Sequence, residues 1–202
     1  MHLEKIPTIP KRLQFTLLVI LFSLISSFSP LALSQPSQPN RCDKPAMKTL
    51  VVIRHAEKHQ DGSKDPKLSA LGEQRAQALI KALSGLPVSQ LIASNYQRTQ
   101  LTLAPLAEHL QLPIIIATTE SGIDSHIAQI VALVNQSKGN AVIAAHSNTV
   151  PLIIESFGGP RNIKIEEEEY GGLYQLVICK DDKTNLLKTH FGEPSAQKKR
   201  DM

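Results

Sequence analysis

The sequence predicts an α/β fold: a three-layer α/β/α sandwich whose mainly parallel sheet has about six strands. Three observations predict it. Short apolar runs such as Leu50-Val51-Val52-Ile53 and Ala141-Val142-Ile143-Ala144-Ala145 read as buried strands. Longer stretches with helical spacing of apolar residues separate them. That alternation places helices on both faces of a parallel sheet. The 202 residues suffice for one domain with a substantial core, extending over 48–191, plus extra length at both ends.

Taken in order, the first strand ends in Arg54-His55 and gives way to a loop, His59 to Lys67, rich in Asp, Gly, Ser, Lys and Pro. Ser69 caps the helix that follows, with Leu71, Ala78, Leu79, Ala82 and Leu83 as its expected buried face. Gly85 and Pro87 end that helix, and Gln90–Ser94 is the second strand. A helix then starts near Asn95 and carries Arg98, Thr99 and Thr102; Pro105 is expected to kink or break it. Leu112 to Ala117 is the third strand. Ile123, Ile127, Ile130, Val131 and Val134 mark an amphipathic helix closed by Gly139. Ala141 to Ala145 is the fourth strand and ends in His146. Pro151 opens the next helix, Gly158-Gly159-Pro160 closes it, and Leu173–Cys179 and Leu186–Phe191 complete the sheet. Residues 192–202 form a polar tail.

The amino terminus has a different character. Lys11-Arg12 precedes an apolar run from Leu13 to Ile25, and Ala32-Leu33-Ser34 has the small-x-small form of a cleavage site before Gln35. Residues 1–34 therefore read as a secretory signal peptide. An uncleaved membrane anchor is the alternative, although the apolar run is short for a span of about 20 residues. Residues 35–47 form a Pro/Ser/Gln/Asn-rich leader. The expected location is periplasmic or secreted, with membrane contact only through the amino-terminal segment.

The formal net charge is +4, and residues 1–34 hold +2 of it through Lys5, Lys11 and Arg12 against Glu4. What is left argues against a nucleic-acid surface. Aromatic residues make up 4%, with no Trp to stack on bases. Two cysteines cannot make a four-ligand zinc site. No metal site and no cofactor are expected. A zinc-hydrolase reading of His55, Glu57 and His59 fails because Ala56 stands where such motifs need Glu, and the Pro-Cys-x-x-Cys of zinc deaminases is absent.

Loops at the carboxyl ends of three strands carry Arg54-His55, Ser94 with Arg98, and His146-Ser147-Asn148. In an open parallel sheet these ends share one edge, where ligands bind. Two guanidinium forks there suit a phosphate or carboxylate. Helix amino-termini after Ser94 and His146 add expected backbone donors for an anion. A neutral imidazole among them can attack phosphorus. An acid must then protonate the leaving oxygen.

Arg54-His55-Ala56-Glu57, Ser94-x-x-x-Arg98-Thr99-x-x-Thr102 and Ala145-His146-Ser147-Asn148 resemble, in the right order, the motifs of the histidine phosphatase superfamily, also called phosphoglycerate-mutase-like. Leu68-Ser69-x-Leu71-Gly72-x-x-Arg75-Ala76 resembles the segment between the first two. The resemblance implies His55 as the nucleophile that becomes phosphohistidine. It implies Arg54, Arg98 and His146 as the phosphate pocket, with Asn148 beside them and His146 also assisting catalysis. Ala56 replaces the usual Gly, and Asn148 stands where one branch carries a catalytic Asp. The mutase-type branch takes its acid from a Glu between the second and third motifs. Glu120 fits that place and Asp124 is next; both also read as solvated acids at a helix start.

The function this implies is an exported phosphomonoesterase acting on a small phosphorylated substrate. The alternatives are a phosphate- or sugar-phosphate-binding module without turnover, and a phosphomutase. The resemblance also implies that Leu173–Cys179 runs antiparallel beside the first strand, which would bring Cys179 near Cys42 for a disulfide. Glu57, Lys58 and His59 read as mouth residues that either touch substrate or are solvated. Arg75 reads as a solvated helix residue, His109, His126 and His190 as surface residues, and Glu166 to Glu169 as a solvated acidic loop.

Overall fold

The computed structural model describes residues 46–179 and 183–194, with side chains from Lys48 onward. The expected signal peptide, nearly all of the leader and most of the tail lie outside the described residues. All that is described falls within one compact unit. In chain order the elements are β1 (Ala46–Arg54), α1 (Ala70–Ala82), β2 (Val88–Ser94), α2 (Gln97–Leu110), β3 (Ile114–Ala117), α3 (Ile123–Gln136), β4 (Asn140–Ala145), α4 (Val150–Ser156), β5 (Gly172–Cys179) and β6 (Thr184–His190).

The six strands form one sheet in the order β3-β2-β4-β1-β5-β6. β1 with β4, β2 with β4 and β2 with β3 pair in parallel; β5 pairs antiparallel with both β1 and β6. Alternation along β1 divides the core. Leu50 and Val52 pack with Ile130, Val134, Ile153 and Ile154 of α3 and α4. Val51 and Ile53 pack with Leu79, Leu103 and Leu106 of α1 and α2. Two helical layers thus cover a sheet whose central strands are buried on both faces, which is why β1 and β4 are unbroken apolar runs.

Two local expectations are corrected, and a third is narrowed from a kink or a break at Pro105 to a helix that is not broken. The buried stripe of α1 is Gly72, Arg75, Ala76 and Leu79, while Leu71 is exposed. Gly72 is there because its backbone lies against the carbonyl oxygen of Glu57, where a Cβ would collide. In α3 the stripe is His126, Ile130 and Val134, with Ile123 exposed. α2 continues through Pro105 to Leu110. The proline costs the helix one backbone donor but does not end it.

β5 runs antiparallel to β1 as expected, with Cys179 opposite Ala46. Cys179 is fully buried and its sulfur is in a disulfide; Cys42, the other cysteine of the sequence, lies outside the described residues. Thiol titration of unreduced protein is expected to find no free thiol. Two free thiols would contradict the pairing.

Candidate active site

Parallel pairing sets Arg54 opposite Ala145, and Ser94 opposite Ala117, so the ends of β1, β2, β3 and β4 share one edge. The His55 amide donates to the Ala145 carbonyl at 2.9 Å, extending the ladder by one residue. This brings the His55 ring within 5.4 Å of the His146 ring, edge to face. β5 is antiparallel, so its beginning lies at this same edge, and Tyr170 just before it reaches within 6.0 Å of the His55 ring. Ala56 is fully buried, and its amide donates to Thr102 Oγ1 at 2.9 Å. Gln111 is the one non-glycine with positive φ among the described residues, so Ala56 sits in ordinary backbone where glycine is not required.

His55 Nδ1 lies 2.8 Å from the Ala56 carbonyl oxygen. A carbonyl only accepts, so Nδ1 carries the proton and Nε2 carries the lone pair. Burial pushes the imidazole down to about 3, with further depression from His146, Arg54 and Arg98. The ring is therefore neutral near pH 7. His146 Nε2 lies 2.9 Å from Ser94 Oγ. Thr99 Oγ1 donates to the Tyr96 carbonyl at 2.8 Å and lies 2.8 Å from Ser94 Oγ. The Ser94 hydroxyl then donates to Thr99, and His146 Nε2–H donates to Ser94. Only that assignment satisfies all three short contacts. Burial, then Arg98, His126 and Arg54, push His146 down to about 3.

These two imidazoles charge near pH 6.5 in an unfolded chain. Between pH 6.5 and about 3 the unfolded chain therefore binds more protons than the folded one. Stability is expected to fall as pH drops through that window, with no contribution above it. In chemical denaturation a His55→Asn variant should lose less between pH 7 and 5 than the wild type. Equal loss in both would contradict a buried neutral His55.

The two arginines are held in parallel fashion. Arg98 stacks on Tyr96 at 4.2 Å, and its Nη1 lies 3.4 Å from Asp65 Oδ1. Arg54, 3% exposed, stacks on Tyr170 at 4.2 Å. Arg54 Nη1 donates to the carbonyls of Glu166, Glu167 and Glu169 at 2.9, 2.7 and 3.1 Å. Its Nη2 pairs with Glu167 Oε1 at 3.1 Å. In both arginines Nε is buried without a protein partner. The unpaired Nε–H of each points to a fork that an anion completes, because one bidentate edge of a guanidinium includes Nε. Of the expected helix-terminal donors, Gln97 N–H goes to Asp65, and the Thr149 and Val150 amides go to the His146 carbonyl.

Arg54, His55, Arg98 and His146 thus meet at one edge. Asn148 is exposed on the turn after His146. Glu120 is exposed on the turn after β3, whose Thr119 donates to Asn95 Oδ1 at the same edge, and Asp124 is exposed in the first turn of α3. Two sequence readings are overturned. Arg75 is 2% exposed and bonds Glu57 in bidentate fashion, with Nη1 on the carbonyls of Phe191 and Glu193. His126 is fully buried and donates from Nδ1 to the Ala117 carbonyl at 3.0 Å. The acidic run is solvated as expected at the side chains of Glu166, Glu167 and Glu168, and in addition its backbone carbonyls grip Arg54. Sequence reasoning missed Tyr96, Tyr170 and Asp65 as partners of the arginines. The antiparallel course of β5 was signal enough to find Tyr170.

Glu57 immediately follows Ala56, so the Glu57–Arg75 pair anchors the loop that leaves the nucleophile. Arg75→Ala strands a carboxylate whose side chain is 12% exposed. It is expected to cost about 3 kcal/mol or more by urea denaturation; a change within about 0.5 kcal/mol would contradict the anchoring role.

The model of the histidine phosphatase superfamily (branch 1) matches residues 50–119. No curated protein matches the chain significantly. Solved structures do. The protein histidine phosphatase SixA, complexed with tungstate, aligns with TM-score 0.57 at 14% identity, over 70% of this chain and 96% of that one. A putative alpha-ribazole-5'-P phosphatase from Escherichia coli aligns with TM-score 0.57 at 18% identity, over 71% and 96%. A mycobacterial glucosyl-3-phosphoglycerate phosphatase aligns with TM-score 0.54 at 15% identity, over 68% and 96%. At these identities the likeness is one of fold.

Proposed function

We propose that this chain of the histidine phosphatase superfamily is a phosphatase that hydrolyses phosphate monoesters through a phosphohistidine on His55. The observation that carries the reading is the state of His55. Its Nδ1–H is committed to the Ala56 carbonyl, leaving an Nε2 lone pair in a pocket with two incompletely paired arginines. His55 Nε2 attacks phosphorus, and the N–P bond forms as the bond to the ester oxygen breaks. That oxygen leaves with a proton from a carboxylic acid, for which Glu120 and Asp124 are the candidates read from sequence. Water then attacks phosphorus, the N–P bond breaks, and the carboxylate takes the proton from water. Arg54 and Arg98 hold the phosphoryl oxygens throughout; His146 joins them as a donor once the bound anion draws a proton onto its Nδ1, and Asn148, exposed on the next turn, completes the set read from sequence. Charge stabilisation and positioning of this kind are the main demands of phosphoryl transfer.

The phosphatases sharing the fold act, by their names, on a phosphohistidine protein, a ribazole phosphate and a glucosyl phosphoglycerate. They support phosphate release as the reaction and leave the alcohol open. The signal-like residues 1–34 support export. Mature protein is expected to release phosphate from p-nitrophenyl phosphate in the presence of EDTA. Complete loss with EDTA would contradict a histidine nucleophile working without metal. Phosphate binding without turnover would leave a binding module.

A further inference from the structure

The reaction needs an acid at the leaving oxygen, and two carboxyls already pair with the pocket's arginines: Asp65, whose two oxygens also accept from the Gln97 amide, and Glu167, which has no such second anchor on its carboxyl among the described residues. Glu167 Oε1 lies 3.1 Å from Arg54 Nη2, and its charge also acts on Arg98. Its side chain is 70% exposed, whereas the Arg54 side chain is 3% exposed. The carboxyl therefore stands on the solvent side of this buried guanidinium. Its backbone is fixed, because the Glu167 carbonyl accepts from Arg54 Nη1 at 2.7 Å, with Glu166 and Glu169 on either side doing the same. The backbone is thus held by this guanidinium, while the exposed side chain pairs with it through one oxygen and can swing once that contact is taken by another anion.

We propose that Glu167 is the catalytic acid and base of this site, donating a proton to the leaving oxygen and recovering one from the attacking water. The assignment rests on the phosphatase reading above. A phosphate that pairs with Arg54 takes the Nη2 contact from the Glu167 carboxylate and puts an ester or phosphoryl oxygen beside it. Two anions sharing one site favour retention of a proton between them. In the first half-reaction the His55 Nε2–P bond forms, the P–O bond to the alcohol breaks, and the Glu167 proton moves to the departing oxygen. In the second, water adds to phosphorus, the N–P bond breaks, and the proton of water returns to Glu167. Nothing else is consumed. The geometry thus places a candidate acid after the third motif, alongside the sequence candidates Glu120 and Asp124.

The test compares E167Q, E120Q and D124N on two aryl phosphates of similar shape, p-nitrophenyl phosphate with its acidic leaving phenol and phenyl phosphate with its weakly acidic one. E167Q is expected to lose about 100-fold in kcat on phenyl phosphate and less than about threefold on p-nitrophenyl phosphate, because a good leaving group dispenses with the acid. Equal loss on both would make Glu167 a support for Arg54 and overturn the assignment. Undiminished turnover of phenyl phosphate, with or without tighter inhibition by inorganic phosphate, would reduce it to a competing anion and overturn it as well. The same leaving-group signature in E120Q or D124N instead would transfer the role to that residue. Wild-type protein inert on both esters would fail the phosphatase reading itself, and this inference with it.

Discussion

His55→Ala is expected to lower kcat by on the order of 10^4-fold or more, with no rescue by a good leaving group. Removing the nucleophile of a covalent mechanism costs rate on that scale, because every other group acts through the bond it forms. The loss should be independent of the ester, unlike that of an acid variant. The substitution removes a buried ring that bonds the next carbonyl, meets the His146 ring edge to face and lies tilted beside the Tyr170 ring. Circular dichroism should therefore stay native while activity disappears. Residual turnover within about tenfold of wild type would place the covalent chemistry elsewhere.

Arg98→Ala is expected to lose at least about 100-fold in kcat/KM, the scale of removing one donor that serves the transition state. Arg98 is stacked on Tyr96 and tied to Asp65 only at 3.4 Å, so most of its donors are available to an anion. Arg54→Lys should lose less, since a point charge stays in the pocket, yet it should still be impaired. An ammonium cannot serve three carbonyls of the 166–169 segment, stack on Tyr170 and offer a planar fork to phosphate at once. A near-normal rate for Arg98→Ala would remove it from the pocket. Steady-state kinetics of the two variants side by side decides the order.

The sheet was legible in the sequence because β1 and β4 are continuous apolar runs whose carboxyl ends turn abruptly polar, and their burial on both faces produces that pattern. The motif residues followed from it, since parallel strands deliver their ends to one edge. Helix faces were less legible. The α1 stripe contains Gly72 and Arg75, which carry no apolar signal; Gly72 answers a backbone contact, and Arg75 answers a carboxylate 18 residues earlier. His126 is in the core because a strand-end carbonyl accepts its proton, a partner that helical periodicity does not display. The acidic run read as solvated because the side chains of Glu166, Glu167 and Glu168 are exposed. Its role lies in backbone carbonyls that converge on Arg54, and residue type says little about where a carbonyl points.

The central claim is that His55 Nε2 becomes covalently phosphorylated during turnover. Rapid quench of the protein with a labelled aryl phosphate, followed by peptide mapping, measures it directly. A phosphoryl group that is acid-labile, stable in base and located on the peptide containing His55 is the predicted result. Turnover with no label trapped at any quench time, or label on a different residue, would contradict the account.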